Sequence, residues 1–172
     1  ENVPIGSRSL LYLPYLMGER TPHLNPNCRG VFFGLSAIHT KADMLRAVME
    51  GVSYSLSDCL DILREMQVDV SEMMACGGGG KSKIWRQMLA DMYGCEVKTI
   101  KAQEGPALGV AILAGVGAGI FNDVQSACRQ FIAQETYCQP EPASKAYYEK
   151  GHALYKKLYV QLKDCYEELA QL

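Results

Sequence analysis

Met73-Met74-Ala75-Cys76-Gly77-Gly78-Gly79-Gly80-Lys81-Ser82 leads directly into a helix-like segment from Ile84 to Tyr93, so bare backbone amides gather where a helix begins. Glycine has no side chain to hold a ligand away, and a helix start offers unpaired N–H groups carrying a partial positive charge of roughly half a unit. The stretch therefore reads as a place for a nucleotide. Gly80-Lys81-Ser82 resembles the end of a P-loop, but the pattern G-x-x-x-x-G-K-[ST] requires a glycine where Ala75 stands, and its Cβ disfavours the left-handed turn of a phosphate cradle. The dinucleotide pattern G-x-G-x-x-G fails as well, because Gly77 and Gly79 would need a third glycine at Ser82. A glycine-rich turn that binds nothing is the remaining alternative at this stage.

The rest of the chain narrows the class. Its 172 residues suit one domain with a real core, and 17 basic against 19 acidic residues give a net charge of −2 with no basic block, which argues against a nucleic-acid partner. Cys28, Cys59, Cys76, Cys95, Cys128, Cys138 and Cys165 stand singly without a C-x-x-C pair, the usage of a reducing, cytoplasmic setting rather than a disulfide framework or zinc site. His23, His39 and His152 are far apart in sequence and have no metal-ligand neighbour at helical spacing, so no metal held by imidazoles is expected. The uncharged stretch Pro106 to Phe121 is too short to cross a bilayer and holds four glycines, which predicts a buried helix and no membrane association. The chain opens at Glu1 without a leader pattern, as a mature fragment or an excised piece would.

Along the chain, Ser9 to Met17 predicts a short buried strand ended by Pro14, and Gly18 to Asn27 a polar surface loop. Gly30 to Leu35 reads as a second strand. Thr40 followed by Asp43 forms a capping-box start to a long helix, Thr40 to Met66, whose apolar residues Met44, Leu45, Val48, Val52, Leu56, Leu60 and Leu63 repeat near every 3.6 positions. Strands at Glu72 to Cys76 and Glu96 to Ile100 flank a helix, Ser82 to Tyr93, capped by Ser82, giving strand, helix and strand across a central sheet. Pro106 to Ile120 predicts a small-residue helix, and Asn122 caps another that runs to Phe131. Gln134 to Tyr137 and Pro140-Glu141-Pro142 lead into a terminal helix, Ala143 to Leu169, with Tyr147, Leu154, Leu158 and Leu162 along it, packing on the outside.

Four ordered segments together resemble the C-terminal domain of the FGGY carbohydrate kinases. Gly30-Val31-Phe32-Phe33-Gly34-Leu35, seven residues, Asp43-Met44, two residues and Ala47-Val48-Met49-Glu50 match the family's second signature. Leu13-Pro14-Tyr15-Leu16-Met17-Gly18-Glu19-Arg20-Thr21-Pro22-His23 is most similar to the loop of members that act on D-xylulose. Gly77-Gly78-Gly79-Gly80-Lys81-Ser82-Lys83-Ile84-Trp85-Arg86-Gln87 to Asp91 is similar to the adenosine motif, usually Gly-Gly-Gly-Ala-x-Ser, and Glu104-Gly105-Pro106-Ala107-Leu108-Gly109 to the next helix opening, with Pro106 where a small residue is common.

The resemblance covers nearly all of residues 1–172 and implies an α/β, actin-like, ribonuclease-H-like fold, the second of two domains that close on ATP and sugar. It implies transfer of the ATP γ-phosphoryl group to a ketopentose, D-xylulose becoming D-xylulose 5-phosphate, with Mg2+ bridging the phosphates. Gly77, Gly78, Gly79, Gly80 and Ser82 would line the nucleoside pocket, and Ser82 could equally serve only as a helix cap. The catalytic base, both phosphate loops and the sugar-binding domain lie upstream in family members. No catalytic residue is therefore assigned. Asp43, Asp61 and Asp91 lie on helix faces without a phosphate loop beside them. Structural roles suffice elsewhere: a Glu19–Arg20 ion pair pinning its loop, His23 as a loop hydrogen-bonder, His39 beside a cap, Trp85 in packing, and Asp43 and Glu50 within their helix. The piece alone is expected to have no turnover, and an apolar face left bare by truncation would favour a homodimer. Two other readings stay open, a kinase of this family for another sugar or polyol and a stand-alone binding module.

Overall fold

A computed structural model describes residues 3–100 and 105–172; Glu1 and Glu104 lie outside the described residues. The described residues group into two compact units, one drawn from residues 3–70, 91–94 and 140–172, the other from 71–90, 95–100 and 105–139.

In the first unit β1 (Leu11–Leu13) pairs antiparallel with β2 (Val31–Phe33), Tyr12 opposite Phe32, and α1 (Lys41–Glu65) lies on β1. The seam is close, because a Cβ on Gly51 would stand 2.1 Å from the Tyr12 carbonyl oxygen. Leu10, Tyr12 and Ala47 form a buried cluster with Phe32, Met44 and Val48 against it. Thr40 caps α1 as the capping box predicts, its side chain accepting from the Asp43 amide while the Asp43 carboxylate accepts from the Thr40 amide at 2.8 Å.

The apolar period of α1 marks its buried face only in part. Leu60 is buried and Met44 and Val48 pack on the core cluster, but Leu45, Leu56 and Leu63 are exposed, whereas Asp43, Ala47, Glu50, Gly51, Ser53, Tyr54, Ser57 and Asp58 are buried. Small side chains let β1 and α6 (Pro142–Leu169) approach, and the buried charges are paired. Glu50 accepts from the Gly6 amide, the Ser7 hydroxyl, Arg46 Nε and the Tyr148 hydroxyl at 2.9, 2.9, 2.8 and 3.3 Å. Helix α6 is also turned differently from the expectation: Tyr148, Tyr155, Leu158, Tyr159 and Tyr166 are buried, while Tyr147 and Leu154 are exposed. It contributes to the core rather than lying outside it, and Gly151 makes room for the Tyr54 hydroxyl, which would stand 2.1 Å from a Cβ there.

In the second unit β3 (Glu72–Met74) pairs parallel with β4 (Glu96–Ile100), and β4 pairs antiparallel with β5 (Gln134–Cys138), with a bulge between Thr99 and Ile100. The single central sheet expected from the sequence is replaced, among the described residues, by one sheet of two strands and one of three. The glycine run is not a bare turn. Gly77–Lys81 forms a one-turn helix, α2, which Ser82 separates from α3 (Lys83–Tyr93). Helix α4 (Gly105–Gly117) leads to α5 (Val124–Phe131), capped by Asp123 rather than Asn122, the Asp123 carboxylate accepting from the Ser126 amide at 2.7 Å. The expectation that α4 is buried fails. Only Ile112 and Gly115 are buried, with Phe121 beside Gly115, and Val110 and Leu113 are 67% and 61% exposed, since the described residues cover one side of a helix that is apolar all round.

Candidate nucleotide site

Strand β3 ends at Met74, and Ala75 stays tied to the sheet through its amide, which donates to the Lys98 carbonyl at 2.8 Å. The chain then turns through Gly77, whose φ of +69° lies in the left-handed region that glycine adopts without strain. Beside this turn lies a cavity of about 790 Å³, within the usual range for a small-molecule site. Gly77, Gly78 and Gly80 line it from α2, Lys81 and Arg86 bring cationic side chains, and the Thr99–Thr136 pair forms part of the wall. Those two threonines face each other across β4 and β5 with hydroxyl oxygens 2.6 Å apart.

The glycines differ in why they are glycines. At Gly77 and Gly78 a Cβ would meet nothing within 4 Å among the described residues, which leaves space beside their backbone for a ligand. At Gly80 a Cβ would stand 2.8 Å from the Ala75 carbonyl oxygen, so this glycine is required by its own fold. Gly79 is turned toward the Trp85 ring, 3.3 Å from a would-be Cβ, and is not in the cavity wall. Ser82 is not in the wall either; its Oγ accepts from the Trp85 amide at 3.3 Å, as a cap of α3 does. Three of the five residues expected at a nucleoside pocket, Gly77, Gly78 and Gly80, thus come together, and Gly79 and Ser82 do not.

Sequence reasoning placed Arg86 within the adenosine-type segment but gave it no role. Its Nη1 donates to the Gly80 carbonyl at 2.6 Å, and its Nε is buried without an acceptor among the described residues. Its signs in the sequence are that place in the matched segment and its position on α3, one turn after Ser82. Open glycine backbone, flanking cations and apolar Ile100 and Pro106 fit a flat heterocycle with an anionic tail. Among the described residues the lining also includes one carboxylate, Glu135, together with the cations Lys81 and Arg86.

The other singled-out residues sit in the first unit. Glu19 pins its loop through backbone, not through Arg20: its carboxylate accepts from the Arg20 and Thr21 amides at 2.7 and 3.1 Å and from the Ser55 hydroxyl at 3.2 Å, and among the described residues no ion pair joins Glu19 to Arg20. His23 is a stacking residue rather than a hydrogen-bonder at Nε2, which is buried without a partner among the described residues; its ring lies 3.4 Å from that of Tyr159 at 9°. Burial holds the His23 imidazole below its ordinary pKa, opposed by Asp58 and Glu19. His39 is structural, its Nδ1 accepting from the Ser36 amide at 2.9 Å. Asp58, Asp61 and His152, distant in sequence, bring ligand atoms within 4.8 Å of one another. Lys156 already balances that charge, its Nζ 2.5 Å from Asp61 and 3.8 Å from Asp58, so the cluster is an ion-pair network. Among the described residues no helix is long and apolar enough to cross a membrane.

Comparison with known proteins bears on the whole chain. The sequence profile of the FGGY family of carbohydrate kinases, C-terminal domain, matches residues 3–118. The xylulose kinase of Staphylococcus epidermidis is 41% identical over 165 residues, 96% of this chain and 33% of that protein. A gluconokinase of Bacillus subtilis is 36% identical over 86% of this chain and 29% of its own length. Among solved structures, the ligand-bound xylulose kinase from Lactobacillus acidophilus superimposes with a TM-score of 0.88 at 34% identity, over 97% of this chain and 34% of that one. The chain thus spans about a third of the length of these relatives, and it shares their α/β, actin-like fold class.

Proposed function

This chain belongs to the FGGY family of carbohydrate kinases, and on that premise we propose that it is the nucleotide-binding part of an ATP-dependent sugar kinase whose substrate is D-xylulose. The observation that carries the reading is the open space beside Gly77 and Gly78, where the backbone meets a cavity large enough for a nucleoside. Residues 1–172 then form part of a C-terminal domain, with the base, the phosphate loops and the sugar-binding domain on other parts of a longer cytoplasmic protein. Bound ATP supplies the phosphoryl group, and Mg2+ shields the charge of its phosphates. The residues of this chain receive and orient the adenosine end: Gly77 and Gly78 offer backbone against which a flat ring can lie, and Lys81 brings positive charge to the anionic side of the ligand.

Similarity to a gluconokinase supports a second substrate within the same chemistry. An ATP-coupled assay of the complete gene product against D-xylulose and gluconate decides between them, and ADP release with D-xylulose alone is expected. The 172-residue chain assayed by itself should show ATP binding without sugar-dependent ADP release. Binding of ATP that is indifferent to Gly78→Val, a change that puts a branched side chain into the open space, would remove the support for this site.

A further inference from the structure

Arg86 occupies an unusual position for a guanidinium. It spends one strong hydrogen bond on a backbone carbonyl and leaves a second donor unmade: Nη1 reaches Gly80 at 2.6 Å, while Nε is buried with no acceptor among the described residues. A buried donor without a partner is costly, so a side chain kept only for stability would be expected to lack that donor. Methionine, of similar reach, would fill the same space with no unmade bond.

The residue that Arg86 holds is the one the turn can least allow to move. Gly80 is buried, and its Cα hydrogens face the Ala75 carbonyl so closely that a Cβ would stand 2.8 Å from it. Ala75 is in turn bonded to Lys98 of β4. Gly80 is therefore gripped from the sheet on one side and from α3 on the other, two residues after the open backbone of Gly78. Cys76, at the start of α2, adds no side-chain capping bond among the described residues, so the backbone bond of Ala75 is what anchors the beginning of the turn.

We propose that Arg86 is a positioning residue for the nucleotide: by holding the Gly80 carbonyl it keeps the Gly77–Gly78 backbone presented to the cavity before any ligand arrives. The inference rests on the nucleotide-binding reading above. It assigns the cost of the unmade Nε bond to preorganisation of the site rather than to the fold.

The test uses the complete gene product with Arg86→Met and Arg86→Lys. In calorimetric titration with ATP, Arg86→Met should raise Kd about tenfold, the scale of one lost hydrogen bond to a charged group, with the sugar KM within twofold of the parent. Its thermal midpoint should stay close to the parent's, the lost Gly80 bond and the removed unmade donor offsetting one another. Without nucleotide, the amides of Gly78 to Lys81 should exchange with solvent faster than in the parent. Arg86→Lys, whose ammonium can still donate to one carbonyl, should bind ATP within threefold of the parent and restore slow exchange. An unchanged ATP Kd in Arg86→Met overturns the proposal, and so does weakened binding accompanied by a lowered thermal midpoint, which marks a structural role. If Arg86→Met does not fold, Arg86→Lys decides alone, a loss beyond threefold counting against the proposal. A parent protein that binds no ATP defeats the nucleotide-binding reading itself, whereas a parent that binds normally beside an indifferent Arg86→Met defeats only this inference.

Discussion

Arg46 in the first unit and Arg86 in the second both donate guanidinium N–H groups to backbone oxygens, and they are satisfied to different degrees. Arg46 donates through Nε to Glu50 at 2.8 Å, through Nη1 to the Val3 carbonyl at 3.1 Å and through Nη2 to the Tyr148 hydroxyl at 3.0 Å. Arg86 makes its Gly80 bond and leaves Nε without an acceptor among the described residues. The first arrangement is what a fold requires, since a buried charge survives only when its partners are complete. The second tolerates an unmade bond at the edge of a cavity, where the geometry of the turn serves a ligand. Completeness of hydrogen bonding thus separates the residue that holds the protein together from the one that prepares a site.

The sharpest way to break this contrast is Arg46→Met. It leaves the Glu50 carboxylate buried without its cation, and about 3–5 kcal/mol of stability should be lost in a urea titration. A loss below about 1 kcal/mol would mean that the network is no more structural than Arg86, whose methionine variant is expected to cost nothing.

Next come the two glycines of one turn. Gly80→Ala forces a methyl toward the Ala75 carbonyl and should cost about 1–3 kcal/mol. Gly78→Ala meets open space, so stability should hold or rise by up to about 1 kcal/mol while ATP binding weakens. Equal stability effects at both positions would erase the distinction between a glycine kept for folding and one kept for a ligand. Ser82→Ala should cost about 1 kcal/mol, the usual worth of an N-cap, with little change in ATP affinity because Ser82 is outside the cavity wall.

The smallest effect concerns pH. The Asp43 carboxyl is held below its ordinary value of 3.8, first by the Thr40 side chain, then by the Thr40 amide, with Arg8 adding to the shift. A depressed carboxyl contributes stability that is complete above 3.8 and is lost as pH falls through its folded value, so the contribution should fade only in that acid window. Asp43→Asn should flatten this part of the stability profile and leave the neutral range nearly parallel to the parent's.

The sequence makes the local grammar of the fold legible and leaves its facings obscure. Thr40 and Asp43 mark the start of α1 because a capping box is a contact between near neighbours. Val97 and Thr99 mark β4 because alternation is local too, and both are buried as the pattern requires. Which face of α1 turns inward is settled by partners far along the chain, so a face carrying Glu50, Ser53 and Asp58 is buried while Leu45 and Leu56 are exposed. On α6 the adjacent tyrosines Tyr147 and Tyr148 are equivalent in any periodic reading, and Glu50 and Arg46 select Tyr148. Gln134–Cys138 shows little apolar alternation, and pairing with β4 makes it a strand. At the candidate site the glycine run announces a close approach of backbone to something. It cannot say that Gly79 faces Trp85, that Ser82 only caps, or that an arginine on α3 reaches back to Gly80.

The missing side chain at Gly51 has a mechanical consequence. With α1 resting directly on the Tyr12 carbonyl, there is no layer of flexible atoms between helix and strand to act as a lubricant. The two cannot slide past each other by part of a turn without atoms colliding, so a displacement applied at the far end of α1 is delivered to β1 undiminished. At this one crossing, helix and strand are therefore coupled backbone to backbone.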